Sequence, residues 1–467
     1  MKKSVIVVGA GLSGLRAAQL FHKAGYKVTV LEADNHIGGR VMGFELNNGQ
    51  KVDVGGQWIG KTQKPILELL NELGVETYEQ YNKGQKVHWR KKCSIKTFSS
   101  SSSIPPLNLF ALLDLHFNVI STLDRLMKDV NLDYPKKSKN AEYWDSITVE
   151  SWAKSKIKTT SAKELLDVAI RMIFGAEAKE ISMLFFLMTL RSGGGILNLS
   201  ETRNGAQEFK IKGGAYNLAY LLKEKLPENS VLLEHQVTGI QHDEHQVTVF
   251  SGDKSFTGDY LVLAIPPPAQ YKIVIEPSLG LPRNKLCEKI FMAAMIKIYI
   301  VYEKAWWREK GFAGEAIPFD NSAVKDDDGL SPFSMVFDGC DDNLSVTALT
   351  VFIAGKHAIA HTKLPQEETK TRILNLLSKL FSSEDAKQPI EYIEKNWLLE
   401  EWIGGAPVGI CPPGCLSYYG DALRQPVGRI YFAGTETAHA DVGYMSGAIQ
   451  AGERVVADVL KYEGVEI

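Results

Sequence analysis

The first residues with evident chemistry are three glycines near the amino terminus, Gly9, Gly11 and Gly14, in the spacing GxGxxG. They follow an apolar run, Val5–Val8, and precede a helical pattern, which places them at a strand-to-helix turn. Gly9 allows a tight turn, Gly11 lets the backbone approach a pyrophosphate, and Gly14 lets the helix pack on the strand. Glu32, at the end of the next strand, can accept both ribose hydroxyls of an adenosine and would repel a 2′-phosphate. The pattern predicts that a dinucleotide binds at a helix N-terminus. It argues against NADP, but by itself it does not identify which other dinucleotide binds.

Two further glycine pairs indicate which kind of dinucleotide is bound. Gly38 and Gly39 stand just before Arg40, which supplies a second cation near the diphosphate. A second glycine pair and two polar or aromatic residues follow: Gly55, Gly56, Gln57 and Trp58. Paired glycines let the backbone approach a planar ring system closely, and nicotinamide enzymes need neither segment. The combination favours FAD, although the segment around Arg40 alone is equally well explained as a surface turn.

A lysine inside an apolar segment is the next candidate for chemistry. Lys297 lies within the run Phe291–Tyr302. Burying a lone ammonium group is costly, so this side chain must reach water or a partner. From the residues alone, a lysine on the solvent-facing side of a strand is the simpler interpretation.

Strand and helix patterns at both ends of the chain must position these residues. Lys27–Leu31 is predicted as the second strand of a βαβ unit, while Arg429–Ala433 and Met445–Leu460 are predicted as a closing strand and helix. We therefore predict an α/β fold, with a Rossmann-like FAD-binding domain and an inserted α+β substrate domain. The predicted boundaries are 1–82, 206–288 and 392–467 for the FAD-binding domain, and 83–205 and 289–391 for the substrate-binding domain.

The middle of the chain gives weaker signals. Residues 107–152 and 162–190 are predicted to be largely helical. Other predicted elements are strands at Val231–Val237, Gln246–Phe250, Tyr260–Ile265 and Phe291–Tyr302, a surface turn at Asp326–Gly329 and a helix at Glu367–Phe381.

Bulk composition excludes several classes of protein. The chain has 467 residues, too many for a single core, and a formal charge of −2, which argues against nucleic-acid binding. Its five cysteines are odd in number and scattered, so we expect free thiols in a reducing compartment and no metal site. The amino terminus lacks a signal-peptide pattern, and the apolar runs are shorter than a membrane span. We expect a soluble cytoplasmic protein; the organelle and formation of a homodimer stay open.

Several longer segments resemble one known family. Leu423–Thr437, Gly443–Arg454, Asn204–Glu208, Gly213–Gly214 and Met295–Tyr299 are similar to motifs of the flavin-containing monoamine oxidases, within the wider flavin amine oxidases. Together with the amino-terminal glycine loop they cover nearly the whole chain, most weakly between residues 83 and 180. The resemblance implies the flavin amine oxidase architecture, bound FAD, and oxidation of small amines by O2 to an aldehyde, ammonia and hydrogen peroxide.

The resemblance also assigns catalytic roles. The lysine that matches Lys297 holds a water against flavin N5, and Trp397 matches an aromatic residue packed beside the flavin. Tyr444 matches one wall of an aromatic cage that guides a neutral amine. It precedes Met445 at the start of the final helix, whose amides are placed to face the flavin pyrimidine edge.

Further matches concern the substrate and the adenosine. Gln207 matches a substrate-side amide, and Val237 matches a residue whose backbone pairs with adenine. Gly434 and Glu436 belong to a Gly-Thr-Glu turn expected near the ribityl chain. Each of these residues also has a simpler structural interpretation, as a surface, strand or capping residue.

Two departures from the family pattern affect the prediction. Many members attach the flavin through a cysteine followed by a tyrosine, the second cage wall, but here Ala406 and Pro407 occupy those positions. Cys411 lies five residues downstream of Ala406, too far to substitute. We therefore predict non-covalent FAD and leave preference for arylalkylamines open. A second expected departure is the absence of the carboxyl-terminal membrane anchor of the mitochondrial members.

Three alternatives remain. A polyamine oxidase of the same fold would need acids along the cavity, for which Asp441 and Glu315 are candidates, and an L-amino acid oxidase would need a cation that the sequence does not identify. A flavin-bound protein without turnover is the second alternative, in view of Pro407. A nicotinamide dehydrogenase is the third.

Overall fold

The computed structural model describes residues 2–90, 94–101, 104–318 and 331–465. Cys93 and the predicted turn Asp326–Gly329 lie outside the described residues, as does part of the serine run Ser99–Ser103. All structural statements below refer to the described residues.

A parallel sheet carries the amino-terminal glycine loop. Its five strands, in spatial order, are Val231–Leu232, Lys27–Leu31, Ser4–Val8, Tyr260–Leu263 and Ile430–Phe432. The central strand pairs with both neighbours in parallel, Val7 opposite Val30 on one side and Val262 on the other. These strands are almost entirely buried, as expected when helices or loops cover both faces of a parallel sheet. Residues from both ends of the chain meet in this sheet, and the predicted α/β fold is confirmed.

The first and last helices hold the two ends of the chain together. Leu12–Lys23 packs against Met445–Tyr462. At Gly452 an added Cβ would lie 2.5 Å from the carbonyl oxygen of Ser13, so the two helices approach more closely than a side chain would permit. This contact places the glycine loop beside the start of the final helix.

A second, seven-stranded sheet forms the other half of the molecule. Its spatial order is Glu391–Asn396, Met295–Val301, Ala348–Ala354, Met335–Asp338, Phe312–Pro318, Gln85–Arg90 and Ser94–Ser99. Neighbours are antiparallel except for the pair Phe312–Pro318 and Gln85–Arg90. Every residue of Met295–Val301 is buried, so the solvent-facing interpretation of Lys297 is wrong. The parallel sheet draws only on segments predicted for the FAD-binding domain. The seven-stranded sheet draws on segments predicted for the substrate-binding domain and also on residues 392–396, which were assigned to the FAD-binding domain; the domain boundaries stay a prediction.

Two predicted strands are shorter or divided in the structure. The strand predicted at Val231–Val237 ends at Leu232, because Glu234 adopts a left-handed φ of +57° and turns the chain. The run Phe291–Tyr302 contains two strands: Phe291–Met292 pairs with Gly409–Ile410, and Met295–Val301 joins the large sheet. The residues between them bond to other loops, so apolar character alone could not reveal the break.

The remaining elements complete the scaffold. Smaller sheets comprise Gly239–His242, Val247–Ser251, Lys254–Gly258 and Val274–Glu276; Gly43–Glu45 and Lys51–Asp53; and Trp58–Ile59, Phe209–Ile211 and Thr77–Glu79. The other helices are Lys64–Leu73, Leu109–Asp114, Leu115–Ile120, Ser121–Met127, Ala141–Ser146, Val149–Lys156, Thr160–Phe174, Met183–Ser192, Ile196–Ser200, Asn217–Glu224, Pro267–Gln270, Leu281–Lys289, Trp306–Glu309, Lys356–His361, Gln366–Phe381 and Leu416–Tyr419. Short 3₁₀ turns lie at Pro135–Lys137, Glu384–Lys387, Trp397–Leu399, Gly420–Leu423 and Thr435–Thr437. Within the described part of the chain, no helix has both the length and the apolar character required to span a bilayer.

Candidate active site

One cavity of about 380 Å³ is bordered by strand residues of the seven-stranded sheet and by loop residues that follow strands of the parallel sheet. It reaches from the amino-terminal glycine loop to the buried strand that carries Lys297. Most of the residues that the sequence singled out line it: Gly9, Gly11, Glu32, Arg40, Gly55, Gly56, Gln57, Trp58, Gln207, Lys297, Trp397, Ala406, Pro407, Gly434, Tyr444 and Met445. The structure therefore brings together residues that are hundreds of positions apart in the chain.

The glycine loop has the geometry that the sequence predicts. Gly9 adopts φ +102°, a left-handed conformation that side chains disfavour. Gly14 does not line the cavity; an added Cβ there would lie 2.0 Å from the carbonyl oxygen of Gly9, so its role is to let the helix pack on the loop. Glu32 accepts N–H bonds from Ala10, at 2.7 Å, and Asp34, at 3.1 Å, and burial raises the pKa of its carboxyl group. Its carboxylate is thus fixed at the edge of the cavity.

Two helix N-termini open onto the cavity without a side-chain cap. The N-cap position is occupied by Gly11 in the first helix and by Tyr444 in the final helix. Neither residue accepts a backbone N–H through its side chain. Among the other described α-helices, four begin at a residue whose side-chain oxygen accepts a backbone N–H of the first turn, and the rest also have no side-chain cap; the four residues are Asn108, Thr148, Thr159 and Ser182. Free amides and the helix dipole favour an anionic ligand group at both cavity-facing ends.

Contacts between distant segments fix the floor of the cavity. The N–H of Gly434 donates to the Ser13 hydroxyl at 2.9 Å, which ties the closing turn to the first helix. Arg40 donates to both carboxylate oxygens of Glu436, at 2.6 and 3.0 Å, and to the carbonyl of Pro407 at 2.8 Å. The guanidinium group expected at the diphosphate is therefore already neutralised by a carboxylate. Glu436 itself lies behind the cavity wall.

The environment of Glu436 keeps this carboxyl group ionised. Burial alone would raise its pKa, but Arg40 and the N–H of Gly409 lower it below the usual value. The pair is bidentate, with Glu436 almost completely buried, so each charge depends on the other.

Lys297 is buried and makes three hydrogen bonds to protein oxygens. Its ammonium group donates to the carbonyl oxygens of Asp53 and Gly55 and to the side-chain amide oxygen of Gln57, the last two at 2.8 Å. Burial lowers the pKa of Lys297 to about 7, an effect that the Asp53 carboxylate opposes. Three acceptors match the three N–H groups of an ammonium ion. A water on this nitrogen would have to replace one of them, so the water-holding role stays a prediction.

Two of the side-chain amides that line the cavity have a buried atom without a partner among the described residues. Gln57 accepts from Lys297 and from the Tyr299 hydroxyl through its oxygen, while its nitrogen has no acceptor. Gln207 donates to the carbonyl of Leu199 at 2.9 Å, while its oxygen has no donor. Both residues line the cavity. Buried amide groups that lack partners are costly, and a polar ring system or substrate in the cavity would satisfy them.

These features fit FAD. Cavity-lining glycines leave space that a Cβ would fill: one added at Gly11 would have only the carbonyl oxygen of Gly38 nearby, at 3.8 Å. The uncapped first helix suits the diphosphate, Glu32 suits the ribose, and the final helix together with the amide of Gln57 suits a polar ring edge.

The part of the cavity near Tyr444 and Trp397 is aromatic and apolar. The Tyr444 hydroxyl is 3.4 Å from the carbonyl oxygen of Leu199, and burial raises the pKa of this tyrosine, which keeps it neutral. Trp397 donates from its indole nitrogen to the carbonyl of Val54 at 3.1 Å. Lining aromatic residues that the sequence analysis missed are Phe337, Phe352 and Trp402. Trp402 follows Trp397 by five positions and is a candidate for the missing second wall of the cage.

Two predicted or candidate residues, Val237 and Asp441, lie away from the cavity. Val237 is buried but does not line the cavity; no hydrogen bond of its backbone is found among the described residues, so adenine pairing stays a prediction. Asp441 does not line the cavity, whereas Glu315 does. Glu315 forms an ion pair with Lys86, Nζ to Oε2 2.8 Å, and Lys86 was not recognised from the sequence.

Comparison with known proteins places these features in a family. A family model described as flavin containing amine oxidoreductase matches residues 12–460. Amine oxidase [flavin-containing] B of Rattus norvegicus is 35% identical over 461 residues, covering 98% of this chain and 86% of that protein. Amine oxidase [flavin-containing] A of Equus caballus is 35% identical, with 98% and 85% coverage.

Solved structures agree with the sequence matches. Cyclohexylamine oxidase from Brevibacterium oxydans IH-35A superposes with a TM-score of 0.91 at 31% identity, over 99% of this chain and 100% of that chain. Wild-type putrescine oxidase bound to putrescine also gives a TM-score of 0.91, at 25% identity and 99% coverage of both chains.

Proposed function

The chain belongs to the flavin-containing amine oxidoreductases, and on that premise we propose that it is a monoamine oxidase-like enzyme that deaminates primary amines. The products are an aldehyde, ammonia and hydrogen peroxide, with O2 as the electron acceptor. One observation carries the proposal: a single cavity joins the dinucleotide loop to an aromatic chamber beside Lys297 and Tyr444.

The side chains have distinct parts in this reaction. FAD, when bound, would supply the redox chemistry, which is the transfer of two electrons and two hydrogens from the amine to O2; water would then hydrolyse the imine to the aldehyde and ammonia. Tyr444, Trp397 and the other aromatic walls position the amine and exclude water, which favours its neutral form. Lys297 fixes the loop that carries Gly55 and Gln57, and we propose that it orients a water on the flavin side.

We further propose that the flavin is held without a covalent bond. Ala406, the residue at the position of the flavin-linking cysteine, lines the cavity. The described cysteines, Cys287, Cys340, Cys411 and Cys415, are buried, and none of them lines the cavity. No thiol among the described residues is therefore available to the ring system.

The proposal predicts peroxide release that depends on an added amine. The purified holoprotein is expected to consume O2 and release peroxide with phenethylamine, benzylamine or alkylamines, because the chamber is largely apolar. Putrescine, spermine and leucine are the comparison substrates, measured in the same peroxidase-coupled assay. Turnover confined to polyamines or to leucine would contradict the monoamine assignment, and no turnover with any amine would indicate a flavin-bound protein without activity.

A further inference from the structure

The ion pair between Lys86 and Glu315 is an unusual feature of an apolar cavity wall. Both side chains are nearly inaccessible, with 2% and 7% of their surface exposed, and both line the cavity. Burial raises the pKa of Glu315, which Lys86 partly offsets and Glu201 reinforces. A buried pair of this kind costs desolvation free energy, and similar apolar residues could replace it without loss of stability. Its position suggests a role in binding.

Sheet register sets the distance of the pair from Lys297. Lys297 lies opposite Phe352, and Phe352 lies opposite Met335. The next strand carries Glu315, and the one beyond it carries Lys86. Since neighbouring strands lie about 4.8 Å apart, the strand that carries Glu315 lies roughly 14 Å across the sheet from Lys297. Glu315 is also displaced by two residues, about 7 Å, along that strand, because the pairing of Ala316 with Val336 places Ile317 opposite Met335. Phe352 and Met335 line the cavity between them. The pair is thus a polar site in the cavity wall, separated from Lys297 by apolar side chains.

The pair can form further hydrogen bonds, both as a donor and as an acceptor. Within the described residues, the only partner of the Lys86 ammonium is Glu315, which leaves two N–H groups. The Glu315 carboxylate likewise retains acceptor positions. Glu201 also borders the cavity and has an interaction of its own.

We propose that Lys86 and Glu315 form a subsite for a hydroxyl group at the far end of the amine substrate. This assignment rests on the proposed function and names its substrate class: amines in which an apolar spacer separates the amino group from a terminal hydroxyl. A hydroxyl accepts from Lys86 and donates to Glu315 at once. A terminal ammonium is attracted by Glu315 but repelled by Lys86, and a terminal carboxylate the reverse, so for either ion the two effects oppose each other and the loss of hydration is not offset.

The first test compares substrates of equal chain length on the native holoenzyme. Four series of increasing length are used: n-alkylamines, ω-amino alcohols, α,ω-diamines and ω-amino acids. At the length that reaches the pair, the terminal hydroxyl is expected to raise kcat/KM about tenfold or more over the terminal methyl, mainly through KM. Short members are expected to show no such gain. A preference for diamines or amino acids, or a hydroxyl effect independent of length, would overturn the subsite.

The second test removes both charges together. A single substitution would leave a buried unpaired charge, so the variant is Lys86→Met/Glu315→Leu. The ratio of kcat/KM for amino alcohol over alkylamine is expected to fall to about one or below. The ratio is measured within one preparation, so a loss of folded enzyme cancels. The matched control is Lys304→Met/Glu309→Leu, an exposed pair at 2.7 Å, for which the ratio should stay as in the native enzyme.

The outcomes separate this subsite from the proposed function. A native ratio in the double variant, or equal turnover of hydroxyl and methyl series in the native enzyme, would overturn the subsite while leaving amine oxidation intact. Failure of every amine to support turnover would instead overturn the proposed function.

Discussion

Replacement of Glu436 by glutamine is expected to lower the free energy of unfolding by about 3–5 kcal/mol, because it leaves the Arg40 charge partly buried and uncompensated. The two terminal guanidinium nitrogens of Arg40 each donate an N–H to this carboxylate, which also accepts the N–H of Gly409. The pair joins segments 396 residues apart in sequence, at the base of the cavity. We therefore also expect the variant to retain less FAD after gel filtration.

Chemical denaturation and flavin content measure these two effects. The matched control is Glu309→Gln, which breaks an exposed pair with Lys304 and should cost less than about 1 kcal/mol. Stability and FAD content of Glu436→Gln equal to those of the control would contradict the role of the pair.

The lowered pKa of the Glu436 carboxyl group predicts that the stability of the protein depends on pH. Its pKa is lower in the folded protein than in the unfolded chain, because Arg40 outweighs the effect of burial. Its contribution to stability is therefore complete above the ordinary carboxyl pKa and is lost as the pH falls through the lowered value. Glu436→Gln should show a correspondingly weaker loss of stability over that acidic range.

Replacement of Lys297 by methionine is expected to reduce kcat by about a hundredfold or more. The substitution removes the ammonium group that donates to the carbonyls of Asp53 and Gly55 and to the amide oxygen of Gln57. Three buried acceptors lose a donor, each at a cost of about 1–3 kcal/mol, and the loop beside the ring system shifts.

Stopped-flow measurement of the reductive and oxidative half-reactions identifies the affected step. A slower reaction with O2 at unchanged bleaching by amine would indicate a role in reoxidation, and the reverse would indicate a role in amine oxidation. Lys304→Met, at an exposed lysine, is the control for loss of a positive charge. Native rates of both half-reactions in folded Lys297→Met would contradict an active-site role.

Local sequence rules predicted the backbone geometry of the glycine loop well. The glycine spacing around Gly9 and Gly14 demands a particular backbone, and a Cβ at Gly14 would meet the carbonyl of Gly9 at 2.0 Å. Requirements of this kind are encoded within a few residues. The closing turn at Gly434 was equally recognisable for that reason.

Contacts that depend on sheet order could not be predicted in the same way. Lys86 lies in an ordinary polar and apolar alternation, and only the parallel pairing of its strand with that of Glu315 brings the two charges together. The sequence analysis expected Arg40 to be free for the diphosphate, but it pairs with Glu436. This contact could not be predicted either, because it depends on which distant segments of the chain meet. The strand predicted to reach Val237 ended early because tertiary contacts turn the chain at Glu234.

The most direct measurement is the visible spectrum of the purified protein, expressed with ample riboflavin, before and after acid precipitation. Glycine-lined segments from both ends of the chain enclose one cavity, and we expect this cavity to hold one FAD per chain, released into the supernatant by acid. A colourless protein without bound flavin would contradict the account, including the proposed amine oxidation.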